Sequence, residues 1–566
     1  MSPLFKLLGG NRKKQYNKVD QLTKHTILSM NRTITYLLSI LLLFATSCEL
    51  FAQSESTDVV LLSTNLKKGE TLYLIIRADE LDVEGAKGEF TSMSISEYEI
   101  EREGEPLKIK GKNISMLDCS NNQVTALDAS AAPSLMSLVC NSNKVQSLIL
   151  PRGDKLKMLG CANNELSDID LTEVKGLMRL SCANNNLSTL NPQGCVALES
   201  LIFGHNKIEQ IDLRHNVALK ELSCVSNQLA SIDLSSNTSL TLIDCDSNKI
   251  KELDVTRCLE LQSLRCQANG IKKLDLTKNK NLSGLYCAGN QLTELNLVDH
   301  NELLFLNCGL NKLTSLDLSG CSKLLELMCY ENELTRLNLG SASQLTQLWC
   351  YGNKLTELDA TQHSNLTKLS CFANKLTSLN LSFCPNLQEL SCFLNNIGEI
   401  ILQDNKMLVT LSCFSNQIKG EKMTDLVKSL SDAPEFFNAK LFVICTKDPN
   451  EKNICLTSDV AIAKSKHWTV GDYDLNNDTY VDYGGSEVGI YSPASKDCKV
   501  YPNPASDYVI LSGFAYGTEV TLCDLSGRAL RTCRIVAEES RLNVSDLPRG
   551  AYLLISTEGV QSLILQ

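Results

Sequence analysis

The chain has 566 residues, more than one ordinary hydrophobic core can hold, so several domains or a repeat array are expected. Its 54 Lys and Arg residues against 65 Asp and Glu residues give a net charge of −11, which excludes the basic surface that nucleic-acid binding requires. A hydrophobic content of 43% is typical of a folded protein rather than a disordered one. With 24 Cys residues in the chain, the spacing of the cysteines decides its interpretation.

Residues 30–52 carry the pattern of an export signal. A basic start at Arg32 is followed by an apolar run from Tyr36 to Ala45 and by a polar stretch that ends at Ala52, the predicted cleavage point. Downstream of this segment, no apolar run is long enough for a transmembrane helix. We therefore expect no transmembrane span in the mature chain.

Two features of the N-terminus leave alternatives open. Residues 1–29 are polar and lysine-rich, which does not suit a segment ahead of a signal peptide, so we interpret them as a start-site extension with Met30 as the initiator. The residues before Cys48 resemble a weak lipobox, and acylation of Cys48 is the alternative to signal-peptide cleavage. Because Ala45 stands where a lipobox prefers Leu, we favour cleavage.

Residues 53–114 alternate apolar and polar side chains, most clearly in Thr71–Ile76 and Leu107–Lys110. This alternation predicts short strands with one buried face. Because the first unit of a repeat array would otherwise expose its core, we expect these strands to form an N-terminal β cap.

A repeat of 21 residues fills residues 115–420. A Cys recurs at this interval from Cys119 to Cys413, with Phe203 as the exception, and an Asn follows each of the fifteen positions by three residues. Alternation through Leu-x-Cys predicts one short parallel strand per repeat, and stacked repeats build the core. We therefore predict fifteen leucine-rich repeats in a β-rich solenoid. At a strand spacing of about 4.8 Å, it would be about 70 Å long along its arc.

These repeats resemble the cysteine-ladder class of internalin-J-like surface proteins. The resemblance implies a solenoid that binds a partner at the cell surface. It suggests adhesion to host cells, to other bacteria or within a biofilm, and a role in virulence.

The Asn and Cys columns are predicted to be structural. The Asn amide can pair with backbone groups that the turn after the strand leaves unsatisfied. The Cys side chains point inward, and the poor fit of parallel strands to disulfide geometry favours buried free thiols. Export through an oxidising compartment favours disulfides instead, so the redox state stays open. A second set of cysteines recurs every 63 residues on the return side of the repeat, at Cys195, Cys258, Cys321 and Cys384.

Residues 421–490 follow the repeats as a C-terminal cap and linker. Helical patterns cover Met423–Leu430 and Ser458–Lys466, and Lys440–Ile444 has the pattern of a strand. This arrangement is similar to the C-terminal cap of the same bacterial repeat family.

Two motifs in this cap could carry further chemistry. Cys445 and Cys455 have a spacing that leaves a local disulfide open. Asp472–Asp478 has the acidic spacing of a calcium loop, but it lacks the central Gly, and Tyr483 stands where a bidentate Glu is needed. The Cys-x-x-Asn motif of the repeats has no second Cys or His at ligand spacing. We therefore expect no metal site and no cofactor.

Residues 491–566 contain three motifs within an alternating β pattern, at Lys499–Ala505, Asp524–Arg528 and Leu547–Leu554. In this order they resemble the C-terminal sorting domain of the bacterial type IX secretion system, over residues 498–566. The resemblance implies an Ig-like β-sandwich that the outer-membrane secretion machinery recognises and usually removes during surface attachment. It predicts a protein that is secreted across the outer membrane of a Gram-negative bacterium and attached to the cell surface.

The residues around each ladder Cys on the outward side of the strand should form the concave face of the solenoid. From residue 286 onward, this face gains a continuous stripe of large apolar side chains. The predicted ligand-binding residues are Tyr286, Phe305, Met328, Tyr330, Trp349, Tyr351, Phe372, Phe393 and Phe414.

An exposed stripe of this kind is typical of a binding surface. The alternative is a ladder of stacked rings that stabilises neighbouring strands, or a surface that the C-terminal cap covers. We favour a protein ligand on a host or bacterial surface, with Glu326 and Lys368 in a polar rim, because solenoids bind proteins more often. The flat rings of Trp349 and Tyr351 would also suit a glycan.

An enzyme needs converging titratable groups, and the six His residues are scattered along the chain. A catalytic site is singular, whereas the prominent features of this chain are periodic. We therefore expect a binding protein rather than an enzyme. The alternative from a different class is a structural protein of the surface coat, in which the stripe serves self-association.

Overall fold

The computed structural model describes residues 57–340, 342–433, 438–475, 477, 479–487, 499–514, 517–524, 528–537, 539–556 and 559–565. The predicted signal peptide, Cys48 and the upstream segment 1–29 lie outside these residues. The chain divides into an N-terminal unit, up to Leu334 with Asn338–Ala342, and a C-terminal unit, Thr335–Leu337 with the residues from Ser343 onward.

The N-terminal unit begins with the strands of a β cap and of the first repeat. They are β1 (Thr57–Thr64), β2 (Thr71–Arg77), β3 (Glu80–Glu84), β4 (Ala86–Gly88), β5 (Ile95–Ile100), β6 (Leu107–Lys112), β7 (Met116–Asp118) and β8 (Val124–Ala131). β6 pairs antiparallel with β1 and β3, and β8 pairs with β1. β2 pairs antiparallel with β5 and with β7, the strand of the first repeat. The predicted β cap is confirmed, and it covers the edge of the first repeat strand.

Each later turn of this unit adds a three-residue strand. The strands are β9 (Ser137–Val139), β10 (Ser147–Ile149), β11 (Met158–Gly160), β12 (Arg179–Ser181), β13 (Ser200–Ile202), β14 (Glu221–Ser223), β15 (Leu242–Asp244), β16 (Ser263–Arg265), β17 (Gly284–Tyr286), β18 (Phe305–Asn307) and β19 (Glu326–Met328). Apart from β10, which pairs with β8, they form parallel pairs in register, so that Leu180, Leu201 and Leu222 align. Burial of each such Leu stabilises the fold by about 1.5–3 kcal/mol.

The C-terminal unit continues the same turns and then changes to the cap. Its elements are β20 (Gln347–Trp349), β21 (Lys368–Ser370), β22 (Ser378–Asn380), β23 (Glu389–Ser391), β24 (Glu399–Ile401), β25 (Thr410–Ser412), α1 (Glu421–Ser429), β26 (Lys440–Ile444), α2 (Thr457–Ser465), β27 (Thr469–Asp474) and β28 (Thr479–Asp482). β20, β21, β23, β25, β26 and β27 form parallel pairs in this order, and β28 returns antiparallel to β27. β22 pairs with β24. Both predicted helices and the predicted cap strand are confirmed.

The remaining strands of this unit form the predicted β-sandwich. They are β29 (Lys499–Tyr501), β30 (Tyr508–Ser512), β31 (Glu519–Cys523), β32 (Ala529–Arg534), β33 (Glu539–Asn543), β34 (Gly550–Ser556) and β35 (Gly559–Leu565). One sheet has the order β29-β30-β33, and the other has the order β32-β31-β34-β35. Val509 of the first sheet and Leu522 of the second lie in one hydrophobic core, where both are fully buried. In the part of the chain that the structure describes, no helix has the length and hydropathy to cross a membrane.

The Asn column has the predicted structural role, and it also connects neighbouring turns, which was not predicted. Nδ2 of Asn185 donates to the carbonyl oxygens of Cys161 at 2.9 Å and Cys182 at 3.1 Å. Its Oδ1 accepts the backbone N–H of Leu166 at 3.0 Å. An equivalent set of bonds recurs at Asn227, so each Asn satisfies backbone groups of two turns.

A second buried column lies on the return side of the repeat, and the sequence revealed only its cysteines. Asn279 of this column donates through Nδ2 to the carbonyl oxygens of Val255 at 2.9 Å and Cys258 at 2.8 Å. The imidazole rings of His300 and His363 are buried in this column. In the N-terminal unit the column includes Cys195, Asn216, Asn237, Cys258, Asn279, His300, Cys321 and Ala342, and the C-terminal unit has His363, Cys384 and Asn405 at the equivalent positions.

Candidate functional site

We use the name sheet face for the side chains that flank the central residue of each repeat strand, together with the residue after each ladder Cys. In β19, Leu327 is fully buried, whereas Glu326 and Met328 are only half-buried. Because the backbone of these strands is engaged in sheet pairing, a ligand on the sheet face would contact side chains.

The N-terminal unit holds four of the predicted ligand-binding residues, and all four are half-buried. They lie in three consecutive strands, with Tyr286 in β17, Phe305 in β18 and Met328 in β19, while Tyr330 follows β19. The ring of Tyr330 packs over Gly309, where an added Cβ would lie 2.7 Å from a ring carbon. Gly309 therefore makes room for this ring, and a larger residue there would displace it.

The rings of the C-terminal unit form a stack. The ring centroids of Tyr351 and Phe372 are 4.4 Å apart, those of Phe372 and Phe393 are 4.4 Å apart, and both pairs are within 7° of parallel. The stack continues to Phe414 at 4.5 Å. Trp349 is half-buried in β20 and contributes to none of these stacked pairs.

The C-terminal cap closes the end of this stack. The ring of Tyr473 lies 5.0 Å from that of Phe414, and Phe442 packs edge-on against Tyr473 at 5.2 Å. Phe414 is only 1% exposed and Phe372 only 8%. The prediction of an exposed stripe is therefore wrong for these two residues, because ring stacking and the cap bury them. Both structural alternatives, stacking and coverage by the cap, are present in this unit.

Sequence reasoning missed a charged cluster in the N-terminal unit. Nε of Arg265 lies 3.9 Å from Oδ2 of Asp244 and 3.6 Å from Oδ2 of Asp246. The guanidinium carbon lies 4.5 Å from the centre of the Tyr286 ring, in a cation–π contact. Asp246 also accepts the backbone N–H and the Nε2–H of Gln267, at 2.6 Å and 3.0 Å. The sequence did contain a signal. Two neighbouring repeats have the charged residues Asp244, Asp246 and Arg265 next to their ladder Cys, where most other repeats have uncharged residues.

Burial and like charge shape the electrostatics of this cluster. Burial, together with the neighbouring Asp244 carboxylate, raises the pKa of Asp246 to about 6. Burial also raises the pKa of Tyr286, against the lowering effect of Arg265. The pKa of the half-buried Glu326 is raised by burial as well. The ionised forms of these carboxyl groups are therefore less favourable than in water, and a further cation beside them would stabilise the ionised forms.

A buried carboxylate attaches the last repeat to the C-terminal cap. Oε2 of Glu451 accepts the backbone N–H groups of Ser415 at 2.7 Å and Cys445 at 2.8 Å, and Oε1 accepts that of Asn453 at 2.8 Å. Burial raises the pKa of Glu451 to about 7. We assign this residue a structural role, because its acceptors are occupied by the chain itself.

The acidic motif of the cap is also occupied by internal contacts. Asp472 accepts the backbone N–H and the hydroxyl of Thr446, at 2.9 Å and 2.6 Å. Asp474 pairs with Nζ of Lys447 at 2.6 Å. Residues 476 and 478 of the motif lie outside the described ranges. Within those ranges, no group of three or more His, Cys, Asp or Glu side chains is placed to hold a metal ion.

The ladder thiols of the described repeats are buried, as predicted. Burial raises the pKa of Cys140 and Cys182 to about 12, so these thiols stay protonated and unreactive near neutral pH. In the cap, Cys445 and Cys455 are free, buried thiols, so the disulfide that their spacing left open is not formed.

The fold is a leucine-rich-repeat β-solenoid with a ladder of buried cysteines. Residues 499–565 match a family described as "Secretion system C-terminal sorting domain". The fold is similar to that of the functional domain of InlJ from Listeria monocytogenes, described as including a cysteine ladder. The two chains are 23% identical, the match covers 81% of this chain and 93% of that domain, and the TM-score is 0.54.

Weaker similarities connect the chain to other leucine-rich-repeat proteins. YopM from Yersinia enterocolitica is 22% identical, with coverage of 58% of this chain and 78% of that one and a TM-score of 0.46. The plant peptide hormone receptor RGFR1, solved with RGF2, is 20% identical, with coverage of 63% and 66% and a TM-score of 0.47. No curated protein matches the chain.

Proposed function

We propose that this protein is a secreted, surface-attached adhesin that binds a protein partner through the sheet face of its repeats. The partner belongs to a host cell, to another bacterium or to a biofilm. The sorting domain supports export and surface attachment through the outer-membrane secretion machinery. The proposed role is binding without catalysis.

One observation carries this proposal. In the N-terminal unit, Phe305 and Met328 remain half-buried on the sheet face, and in the C-terminal unit Trp349 does, outside the ring stack. Half-exposed aromatic and Met side chains on a rigid sheet can anchor a partner at a low cost in conformational entropy. The charged residues Glu326 and Lys368 are each the first residue of a repeat strand, and they supply polar groups beside the apolar side chains.

The ring stack removes two residues from the predicted binding surface. Because Phe372 and Phe414 are buried by stacking, they contribute rigidity rather than contact area. In the N-terminal unit, the contact residues proposed are therefore Tyr286, Phe305, Met328 and Tyr330. In the C-terminal unit they are Trp349 and the half-exposed edges of Tyr351 and Phe393.

The experiment compares the purified full chain with the triple variant Phe305→Ser, Met328→Ser and Trp349→Ser in binding to whole host cells and whole bacteria. The matched control is Val196→Ser, Leu259→Ser and Phe383→Ser, which removes apolar side chains that are 57%, 54% and 56% exposed elsewhere. We expect the first variant to lose at least tenfold in affinity and the control to bind like the native chain. Equal binding by all three folded proteins would refute the proposal.

Two alternatives give different results in the same assay. Periodate oxidation of the target cells would abolish binding to a glycan partner and leave binding to a protein partner intact. A self-associating coat protein would show concentration-dependent oligomers of the native chain that disappear in the triple variant. Circular dichroism on each variant establishes that it is folded.

A further inference from the structure

The N-terminal unit concentrates negative charge on one part of its sheet face. Across β14 to β19, and at the residue after each ladder Cys, this face carries four carboxylates and a single Lys or Arg side chain, Arg265. The strands before β14 have no such excess, since Asp118 and Arg179 balance there. The carboxylates belong to Glu221, Asp244, Asp246 and Glu326.

These carboxylates are partly withdrawn from water. The side chains of Asp244 and Asp246 are 7% and 13% exposed, and that of Arg265 is 20% exposed. Charges in such a setting interact more strongly than charges on an open surface, because water screens them less. The single guanidinium forms ion pairs with two carboxylates, so these three side chains together carry one net negative charge when all are ionised.

The contacts of Arg265 show how this surface can hold a cationic side chain. Its cation lies over the Tyr286 ring with carboxylates beside it. Phe305 and Met328 in the next two strands offer apolar surface on which the aliphatic part of a Lys or Arg side chain can pack. The combination of excess carboxylate and half-buried rings is complementary to basic residues.

We propose that the sheet face from β14 to β19 docks a positively charged segment of the protein partner, whose Lys or Arg side chains pair with Asp246 and Glu326, while the buried Asp244 adds negative charge beside Asp246. This inference rests on the proposed function and specifies the chemistry of the partner. A basic segment supplies further positive charge to a surface with excess carboxylate, and the rings pack against its side-chain stems. An acidic segment would add charge of the same sign and is rejected.

The test uses the purified full chain and a defined probe, the peptide acetyl-Gly-Arg-Gly-Lys-Gly-Arg-Gly-amide, with binding measured by calorimetry at low ionic strength. A peptide with Glu at the three basic positions is the charge-reversed probe. The protein variants are Asp244→Asn with Asp246→Asn, and a control, Glu252→Gln with Glu294→Gln, which removes two exposed carboxylates outside the sheet face. Both variants change the net charge by the same amount.

We expect the basic peptide to bind the native chain and the control equally, and to bind the Asp244→Asn, Asp246→Asn variant at least tenfold more weakly. The variant Arg265→Gln should bind it several-fold more tightly, because the competing cation is gone. Misfolding would weaken binding of the peptide in the Asp variant and in Arg265→Gln alike. Weaker binding in the first and tighter binding in the second would therefore show a change in recognition rather than a loss of folding. Equal binding by the Asp variant and the control, or preference for the acidic peptide, would overturn the inference.

Failure of this inference is distinguishable from failure of the proposed function. If Phe305→Ser, Met328→Ser and Trp349→Ser together abolish binding to cells while the basic peptide shows no preference, the docking face stands and its charge preference is wrong. If that triple variant binds cells normally, the proposed function itself is wrong, whatever the peptide does.

Discussion

At the scale of single residues, the Asn column completes hydrogen bonds that three-residue strands cannot make. Asn185 connects the backbone of its own turn to that of the preceding turn through three bonds. A buried backbone group that loses its partner costs about 1–3 kcal/mol. The sequence predicted the bonds within the turn, because an Asn at a fixed place after every strand suits a turn that leaves backbone groups unpaired, but it did not predict the bonds to the preceding turn.

Replacement of Asn185 by Ala tests that role. We expect the free energy of unfolding to fall by about 2–4 kcal/mol, because two carbonyl groups and one N–H group lose their partner. The control is Asn186→Ala, which changes an exposed neighbour and should alter stability by less than about 0.5 kcal/mol. Urea denaturation followed by circular dichroism measures both. Equal effects of the two substitutions would contradict the assignment.

We expect His300 to make the stability of the chain sensitive to acid, unlike the Asn and Cys members of its column. It is 1% exposed, and burial lowers its pKa. Lys280 and Asp299, the charged side chains that act on it, pair with each other at 2.8 Å. The unfolded chain therefore binds a proton that the folded chain resists, and stability falls as the pH drops below about 6.5.

The substitution His300→Asn should remove part of this sensitivity. The new amide can donate to carbonyl groups of the preceding turn, as Asn279 does. We expect a higher melting temperature than the native chain at about pH 5 and a smaller difference between about pH 5 and about pH 7.5. The exposed His215→Asn serves as the control. An unchanged pH dependence in His300→Asn would show that this imidazole does not govern it.

At the scale of elements, the ring stack joins the last repeats to the C-terminal cap. Four consecutive stacked contacts run from Tyr351 to Tyr473, with centroid distances of 4.4–5.0 Å. The repeat rings were evident from their 21-residue spacing in the sequence. Their burial was not, because it depends on Phe442 and Tyr473, which reach the stack only through the folded cap.

Phe393→Leu should loosen this end of the solenoid. We expect a loss of about 1–3 kcal/mol, since the stack is interrupted and a cavity remains. Hydrogen exchange should rise in β23 and β25 before it rises elsewhere. The matched substitution Phe383→Leu, at a side chain that is 56% exposed, should leave exchange unchanged. If both substitutions have the same small effect, the stack contributes no stability.

The charged cluster could not be predicted from the periodicity of the sequence. Asp244, Asp246 and Arg265 occupy positions that the repeat leaves variable, so no spacing rule draws attention to them. Their proximity follows only from the register of β15 and β16, which places Asp244 opposite Arg265. Periodicity therefore predicts the scaffold, whereas the departures from it carry the candidate site.

At the scale of the whole molecule, the chain combines leucine-rich repeats with a domain that matches a secretion sorting family. The sorting domain at residues 499–565 has its own hydrophobic core and is a separate element of function. Removal of residues 499–566 should leave the repeats folded but prevent their appearance on the producing bacterium. Protease accessibility on intact cells, compared with a lysate, measures this. Surface exposure of the truncated chain would contradict the role of the domain.

Photo-crosslinking from the sheet face on intact target cells is the most direct test of the proposed protein-binding role. A benzoylphenylalanine at Trp349 or Phe305 should yield a protein adduct, and one at the exposed Phe383 should not. Pre-treatment of the target cells with protease should abolish the adduct. Adducts at Phe383 alone, or equal adducts at all three positions, would contradict a protein-binding surface on the sheet face.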